Sequence, residues 1–361
     1  MNRVRCGVIG AGWWGTFAHI PAILRHPAAE LVAVQNPDPL EGKKIVEAFG
    51  VPRVCRTPEE LLGIADLDAV VVSSTPNLHY AQARSALERG LHVLVEKPMT
   101  LTAKESKKLV AVARDRGLHL LVSCPWHFTA HALEARKRIR DGELGEVRMV
   151  SILMTNPVAH LVKGLDATPT HSTSPPLLQP RAGSYSEPAV AGGGQIYTQV
   201  SHVTAYLPYL LGVAARRVFA RFHNDGANLD IYDTLNITLE NGTLASIAST
   251  GATSLSQRSY EVRIFGTRAI IYLELWQGTM TVFDIETDRR IDLPPLSPHE
   301  IFPHEAPATN LIDCVLGLSE NLSPGEFGAV AVEIIEAANQ SAKTQADVRV
   351  GLAESKACVA Y

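Results

Sequence analysis

Val4-Arg5-Cys6-Gly7-Val8-Ile9-Gly10-Ala11-Gly12-Trp13-Trp14-Gly15 is the stretch that decides the fold. A mostly apolar run with the length of a buried strand passes into GxGxxG and then into a segment with helical spacing. In that setting each glycine has its own task. Gly10 permits the tight turn, Gly12 lets a pyrophosphate approach the backbone, and Gly15 lets helix and strand pack closely. The helix N-terminus lends partial positive charge to the phosphates, and Ala11, Trp13 and Trp14 complete the expected contact surface.

Outward from this turn, short β-branched runs alternate with longer amphipathic stretches. Leu31–Val34, Ala69–Val72, His92–Val95 and His119–Val122 have the length of buried parallel strands. Leu40–Phe49, Leu78–Arg89 and Ala103–Arg116 have the length of crossover helices. Such units predict a doubly wound, mostly parallel α/β sheet, a Rossmann domain that binds a dinucleotide, over residues 1–125.

Past that point the rhythm changes. One helix is predicted at Thr129–Asp141, then strand-like segments at Val147–Met154, Arg217–Phe222, Ile231–Leu239, Thr243–Ser249, Tyr260–Phe265, Ala269–Leu273 and Met280–Phe283. They predict an α+β domain over residues 126–361, with a large, mostly antiparallel open sheet. Late helices at Ala308–Leu318 and Pro324–Ser341 are expected to pack on or beside it. The stretch 156–194, rich in Pro, Gly, Ser and Thr, fits neither pattern and reads as a lid or substrate loop, the alternative being a surface excursion without a role.

Composition narrows the function. The 361 residues exceed what one core fills, since single cores stop growing near ~250 residues, and two domains leave a crevice between them. A hydrophobic share of 46% against 19% charged residues is the balance of a folded enzyme. A net charge of -4, without a long Lys or Arg run, gives no footprint for nucleic acid or an anionic membrane. Cys6, Cys55, Cys124, Cys314 and Cys358 are odd in number and far apart, so reduced thiols are expected rather than a disulfide framework or a CxxC pair. The apolar start, Cys6 to Trp14, is broken by glycines and too short for a membrane span or a secretory segment. The cytoplasm is the expected compartment. His299 and His304 do not share a helix face and Pro303 intervenes, so no metal site is expected.

In open α/β sheets ligands bind beyond the carboxyl ends of the strands. The second strand-like run ends in Gln35-Asn36-Pro37-Asp38, about 20 residues past the glycine turn, where an acid normally meets the adenosine ribose. Asn36 can hydrogen-bond the ribose hydroxyls but carries no charge to repel a 2'-phosphate. Asp38 opposes that phosphate, and no Arg follows directly to favour it. The balance leans to NAD and leaves NADP open.

Two further strand ends carry chemistry. Ala69–Val72 runs into Ser73-Ser74-Thr75-Pro76-Asn77-Leu78-His79, and His92–Val95 runs into Glu96-Lys97-Pro98. A charged pair directly after a buried strand implies a purpose, because desolvating a charge is costly. A lysine held there, with its pKa lowered by burial or a neighbouring cation, can hydrogen-bond a reacting alcohol and share its proton. His79 reads as a structural or cofactor-lining residue rather than a catalytic one. Trp126-His127-Phe128 follows the next strand; an aromatic there can stack on a sugar face, and packing between domains explains the tryptophan equally well.

Taken together, these motifs resemble the Gfo/Idh/MocA family. The resemblance rests on GxGxxG, Thr75-Pro76-Asn77 with His79, Glu96-Lys97-Pro98, Gly142-Glu143-Leu144-Gly145 closing a helix, and Gly192-Gly193-Gly194 ahead of His202. They run in the family's order over nearly the whole chain. The resemblance implies a Rossmann domain followed by a domain whose open sheet mediates oligomer contacts, here a homodimer or homotetramer. It also implies that Lys97 is the catalytic lysine, that Ser74, Thr75, Pro76, Asn77, His79, Glu96 and Lys97 line the cofactor, and that substrates are pyranoses, their derivatives or cyclitols.

One departure is informative. The family commonly has an Asp four residues before the histidine matching His202, and this chain has Thr198 there. On a helix, i and i+4 share a face, so Thr198 and His202 should both look into the cleft, but Thr is no carboxylate base. Gln195 and Gln199 are polar neighbours able to orient hydroxyls. Lys97 and His202 remain the titratable pair expected to carry catalysis, His being matched to neutral pH. Lys97, Trp126, His127, Tyr185, Thr198, Gln199 and His202 are the expected substrate contacts, with Arg181, His160 and His171 as further candidates. The expected reaction moves a hydride between NAD(P) and a secondary alcohol carbon of a sugar, glycoside or cyclitol. The alternatives are a redox-neutral lyase or hydrolase working through a transient keto sugar, and a non-catalytic dinucleotide sensor. A sensor needs no proton relay, so Glu96-Lys97-Pro98 and His202 speak against the last.

Overall fold

The apolar runs at the start of the chain form the strands they predict. The computed structural model describes residues 3–165, 176–181 and 183–351. Strands Val4–Ile9 (β1), Ala29–Gln35 (β2), Val54–Cys55 (β3), Ala69–Val72 (β4), His92–Val95 (β5) and Leu120–Val122 (β6) make one parallel sheet in the order β3-β2-β1-β4-β5-β6. Strand order reverses between β1 and β4, and the crevice outside those strand ends is the dinucleotide site of this topology.

A π-helical turn, Gly15–His19, leads from the glycine turn into helix Ile20–Arg25 (α1). Pro39–Phe49 (α2), Pro58–Leu62 (α3), Pro76–Glu88 (α4) and Ala103–Asp115 (α5) follow. Strand β4 shows how both sheet faces are filled. Ala69 and Val71 point into a core with Ile20, Ile23 and Leu311, and Val70 and Val72 into another with Ala83, Leu87 and Leu109.

The second sheet has nine strands. Val147–Thr155 (β7), Ala215–His223 (β8), Tyr232–Leu239 (β9), Leu244–Thr250 (β10), Ser259–Gly266 (β11), Ala269–Glu274 (β12), Thr279–Asp284 (β13), Arg290–Asp292 (β14) and Val348–Arg349 (β15) stand in the order β14-β13-β12-β11-β7-β10-β9-β8-β15. Pairing is antiparallel except between β7 and β10. Alternation sends Val150, Ile152 and Met154 of β7 into the core and leaves Met149 and Leu153 exposed on the other face. Helix Ala130–Arg140 (α6) enters this domain. The irregular stretch holds two single-turn helices, Ala159–Val162 (α7) and Pro188–Ala191 (α8).

Two expectations about helices need correction. Thr198 and His202 do not lie on one helix: Gln195–Thr198 (α9) ends, Gln199 breaks the spiral with φ -122° and ψ -44°, and Val200–Leu211 (α10) begins anew. After the short helix Pro298–Ile301 (α11), Ala306–Val315 (α12) returns to the first sheet instead of joining the second, packing against β4, β5, β6 and α1. Its stripe of Ala308, Leu311 and Ile312, at i, i+3 and i+4, fills the face that the short α1 leaves bare. Gly325–Thr344 (α13) lies between the domains, against α5 and β6 on one side and α10 and β8 on the other.

Candidate active site

The glycine turn is shaped as its sequence requires. Gly10 has φ +74°, and a Cβ there would lie 2.4 Å from Ser74 N, so only glycine lets β1 and β4 ends approach. Beside Gly12 the nearest obstacle to a Cβ is Gly10 O at 3.9 Å, which leaves open space where a diphosphate would sit. Among the described residues the N–H groups of Trp13 and Trp14 have no acceptor, and Thr16 Oγ1 ties the turn by donating to Gly12 O at 2.8 Å. Free N–H groups at the start of a helix are the donor set a pyrophosphate needs, so the residues present fit a dinucleotide.

At the next strand end, Ser74 Oγ donates to Gln82 Oε1 and Thr75 Oγ1 to Asn77 Oδ1 (2.7 Å), with Pro76 opening α4. His79 is fully buried, with Nδ1 2.9 Å from Pro98 O and Nε2 3.0 Å from Ser74 O. It pins the β4 end to the cis Lys97–Pro98 peptide, a structural role. Burial lowers its pKa, with the Lys97 charge adding to that effect.

Glu96 is buried and meets a residue that spacing alone did not single out: His19 Nε2 lies 2.8 Å from Glu96 Oε1. Burial alone raises the Glu96 carboxyl, but the His19 hydrogen bond and charge, with Lys97, outweigh it and hold the group below its usual value. Its other oxygen accepts from Lys97 N at 3.1 Å. The Lys97 side chain is half-buried, and its Nζ donates to Thr198 O at 2.8 Å. Desolvation lowers its pKa and the Glu96 charge partly restores it.

His202 is buried, its Nδ1 wholly so and without a partner among the described residues. Burial, then the charges of Lys97 and His127, hold its pKa well below 6.5, so the imidazole is neutral. Its ring stands edge-on to Trp126 at 5.0 Å, and Trp126 also meets Tyr260 (5.0 Å), Trp276 (5.1 Å) and Phe302 (4.7 Å). Trp126 is only 2% exposed, a wall of the site rather than an open platform for a sugar. Trp126 Nε1, Trp276 Nε1, Tyr260 OH and Thr198 Oγ1 are buried without partners among the described residues. Each unpaired group costs roughly 1–3 kcal/mol, so their concentration beside Lys97 and His202 marks a place for a hydroxyl-rich ligand or ordered water.

The other expected residues divide. Gln199 Oε1 accepts from Asn156 Nδ2 at 2.9 Å, while Gln195 Nε2 donates to Ser249 Oγ at 2.8 Å and its Oε1 is buried without a partner among the described residues. Gly194 starts α9 because a Cβ there would fall 2.0 Å from Asp230 O. Tyr185 stands edge-on to Trp13 at 6.5 Å, and burial and the Glu96 charge raise its phenol's pKa. His127 packs elsewhere: it stacks on Tyr209 at 4.3 Å, and Nδ1 lies 2.9 Å from Ser323 Oγ. His160 lines an open hollow with Pro157, Gly251 and Thr253. Asn36 is spoken for by neighbouring protein groups, Asp38 caps α2 through Oδ1, and His171 lies outside the described residues. No group of His, Cys, Asp or Glu able to hold a metal occurs among the described residues, and no helix among them is long and apolar enough to cross a membrane.

Residues 4–124 match the oxidoreductase family with an NAD-binding Rossmann fold, Gfo/Idh/MocA, and residues 132–272 match the Gfo/Idh/MocA C-terminal domain. The chain belongs to the Gfo/Idh/MocA family. This Gfo/Idh/MocA protein is 25% identical over 308 residues to 1,5-anhydro-D-fructose reductase of Ensifer adhaerens, covering 83% of this chain and 85% of that one. Its match to inositol 2-dehydrogenase of Rhizobium meliloti is 33% identical but covers 43% of this chain and 46% of that one. It likewise spans about half the length of other curated relatives that it matches. Levoglucosan dehydrogenase, solved with NADH and L-sorbose, superposes with a TM-score of 0.81 at 20% identity, covering 97% of this chain and 100% of that one. That likeness is one of fold.

Proposed function

We propose that this Gfo/Idh/MocA protein is an NAD(P)-dependent oxidoreductase that moves a hydride to or from a secondary alcohol carbon of a sugar, glycoside or cyclitol. The observation that carries the reading is the Lys97 ammonium, half-buried, beside a neutral His202 and a cluster of unpaired buried polar atoms. The names of relatives, a 1,5-anhydro-D-fructose reductase and an inositol 2-dehydrogenase among them, support the substrate class.

The ammonium has three donors, and Thr198 O takes one. The remaining two hold the reacting oxygen and stabilise the charge that develops on it. His202, neutral because it is buried, takes the hydroxyl proton at Nε2, the ring nitrogen not wholly enclosed. Thr198 Oγ1, Gln199 and Tyr185 orient the other hydroxyls, while Trp126 and its aromatic neighbours exclude water. The nicotinamide supplies the hydride acceptor or donor when bound, held through the glycine turn and the Ser74 to His79 segment, with NAD the favoured form. The uncovered sheet face, with Met149, Leu153, Tyr232 and Leu244 exposed, supports a homodimer or homotetramer.

The test is a screen of NAD and NADP reduction against sugars, glycosides, inositols and sugar acids, followed by the nicotinamide absorbance. Turnover of at least one polyol supports the reading; a panel without any turnover speaks against it. A second reading is favoured by one feature, Thr198 in place of a carboxylate beside His202. A redox-neutral lyase or hydrolase returns its hydride within each cycle, so cofactor copurifies and product forms without a change in that absorbance.

A further inference from the structure

The end of β2 holds Asn36 where an acid normally reads the adenosine ribose, and Asn36 has no capacity left for that task. It is buried, and its Nδ2 donates to Ala11 O at 2.9 Å and to Glu41 Oε2 at 2.8 Å. Its Oδ1 accepts from Asp38 N at 2.9 Å and from Arg181 Nη2 at 3.2 Å. Asp38 is partly engaged: Oδ1 accepts from Leu40 N at 2.8 Å and Glu41 N at 3.2 Å and so caps α2, while Oδ2 has no partner among the described residues.

Glu41 is the carboxylate here that Asn36 ties to the glycine turn. It projects from the first turn of α2 and is drawn toward the glycine turn by Asn36, whose one amide group holds both Glu41 and Ala11 O. Its side chain is 22% exposed, and Oε1 has no partner among the described residues. Arg181, from the irregular stretch of the second domain, meets Glu41 Oε2 at 2.8 Å. That contact does not stand alone. Leu178 is buried in the cluster that contains Ala11, Ala308 and Leu311, and Tyr185 leans on Trp13. At three described points, then, residues of this stretch are fastened beside the glycine turn.

We propose that Glu41 is the ribose-reading acid of this chain, displaced from the strand tip to the first turn of the next helix, and that Arg181 clamps it, making the site selective for NAD over NADP. The inference rests on the reading of the first domain as a nicotinamide dinucleotide site. Oε1 accepts from the ribose hydroxyls, as an acid at the strand tip does in other folds of this kind. A 2'-phosphate meets a carboxylate of its own sign, and Arg181 offers it no net attraction because its charge is already paired.

The test titrates the purified full chain with NADH and with NADPH, by nicotinamide fluorescence and by thermal shift, for wild type, Glu41→Gln and Arg181→Ala. Wild type is expected to prefer NADH. Glu41→Gln is expected to lose about tenfold in NADH affinity, the worth of one charge-assisted hydrogen bond, and to gain NADPH affinity as Arg181 is released. Arg181→Ala is expected to weaken NADH binding while still rejecting NADPH, and it carries the test if Glu41→Gln fails to fold. An unchanged preference in a folded Glu41→Gln protein overturns the assignment, as does a reversed preference in Asp38→Asn but not in Glu41→Gln. A wild type that prefers NADPH sinks this inference alone, whereas one that binds neither dinucleotide sinks the cofactor reading beneath it.

Discussion

The Lys97 ammonium donates to the backbone carbonyl of Thr198 at 2.8 Å, across 101 residues of sequence. The tip of β5 is thereby tied to the last residue of α9, with only Gln199 between it and the helix that carries His202. A backbone acceptor does this work whatever side chain stands at position 198, so Thr198 holds the lysine without bringing a charge of its own. In the proposed reaction His202 then acts without a carboxylate partner at that position.

The first consequence concerns pH. Because burial and the Lys97 and His127 charges hold the His202 pKa well below 6.5, the base form persists as pH falls through neutrality. The acid limb of the kcat profile should therefore lie well below pH 6.5. His202→Ala should lower turnover by about 10²-fold or more and flatten that limb. Retention of the wild-type profile in the variant means that the histidine is structural.

Glu96→Gln should act on the opposite limb. Desolvation lowers the Lys97 pKa and the Glu96 charge raises it, so neutralising Glu96 lets the lysine lose its proton at lower pH. The alkaline limb should move down, with the His19 contact still available to the amide. A limb that stays in place or moves up shows that Lys97 is not the group titrating there.

Two glycine substitutions should separate folding from cofactor binding. Gly10→Ala forces a Cβ to within 2.4 Å of Ser74 N at a φ of +74°, so thermal melting should drop sharply or the protein should not fold. Gly12→Ala meets nothing in the protein nearer than 3.9 Å, so it should melt like wild type yet bind NADH poorly. Equal behaviour of the two variants contradicts the assignment of the open space to a diphosphate.

His127 gives a stability prediction. Burial, with Arg136 adding to it, pushes its pKa from 6.5 down to about 3. Below pH 6.5 the unfolded chain takes up a proton that the folded protein refuses, so stability falls as pH drops from 6.5 toward about 3, by at most about 1.4 kcal/mol per pH unit. His127→Gln removes this contribution. Melting temperatures across that range should decline less steeply in the variant, and identical slopes refute the buried neutral state.

Much of the architecture was legible because buried parallel strands announce themselves. Ala69–Val72 and His92–Val95 are continuous apolar runs with turn residues behind them, and both form the strands read from them. The two residues of β3 carry no such pattern and were invisible. The apolar stripe of α12 says that it covers something but not which sheet, since Ala308, Leu311 and Ile312 suit either core. Within the site, the residue types at Lys97, His202 and the glycine turn suggested the chemistry proposed for them. The saturation of Asn36, the break at Gln199, and the reach of His19 to Glu96 and of Arg181 to Glu41 are three-dimensional facts with no local signature.

The most direct test of the account is Lys97→Ala, assayed beside wild type for NAD reduction on the best substrate of the panel, with NADH affinity measured on the same samples. General acid–base and electrostatic assistance is worth ~10²-fold to 10⁴-fold, so turnover should fall by at least that lower figure while NADH affinity is retained. Wild-type turnover in the variant would contradict the assignment of the reacting proton and oxygen to this lysine.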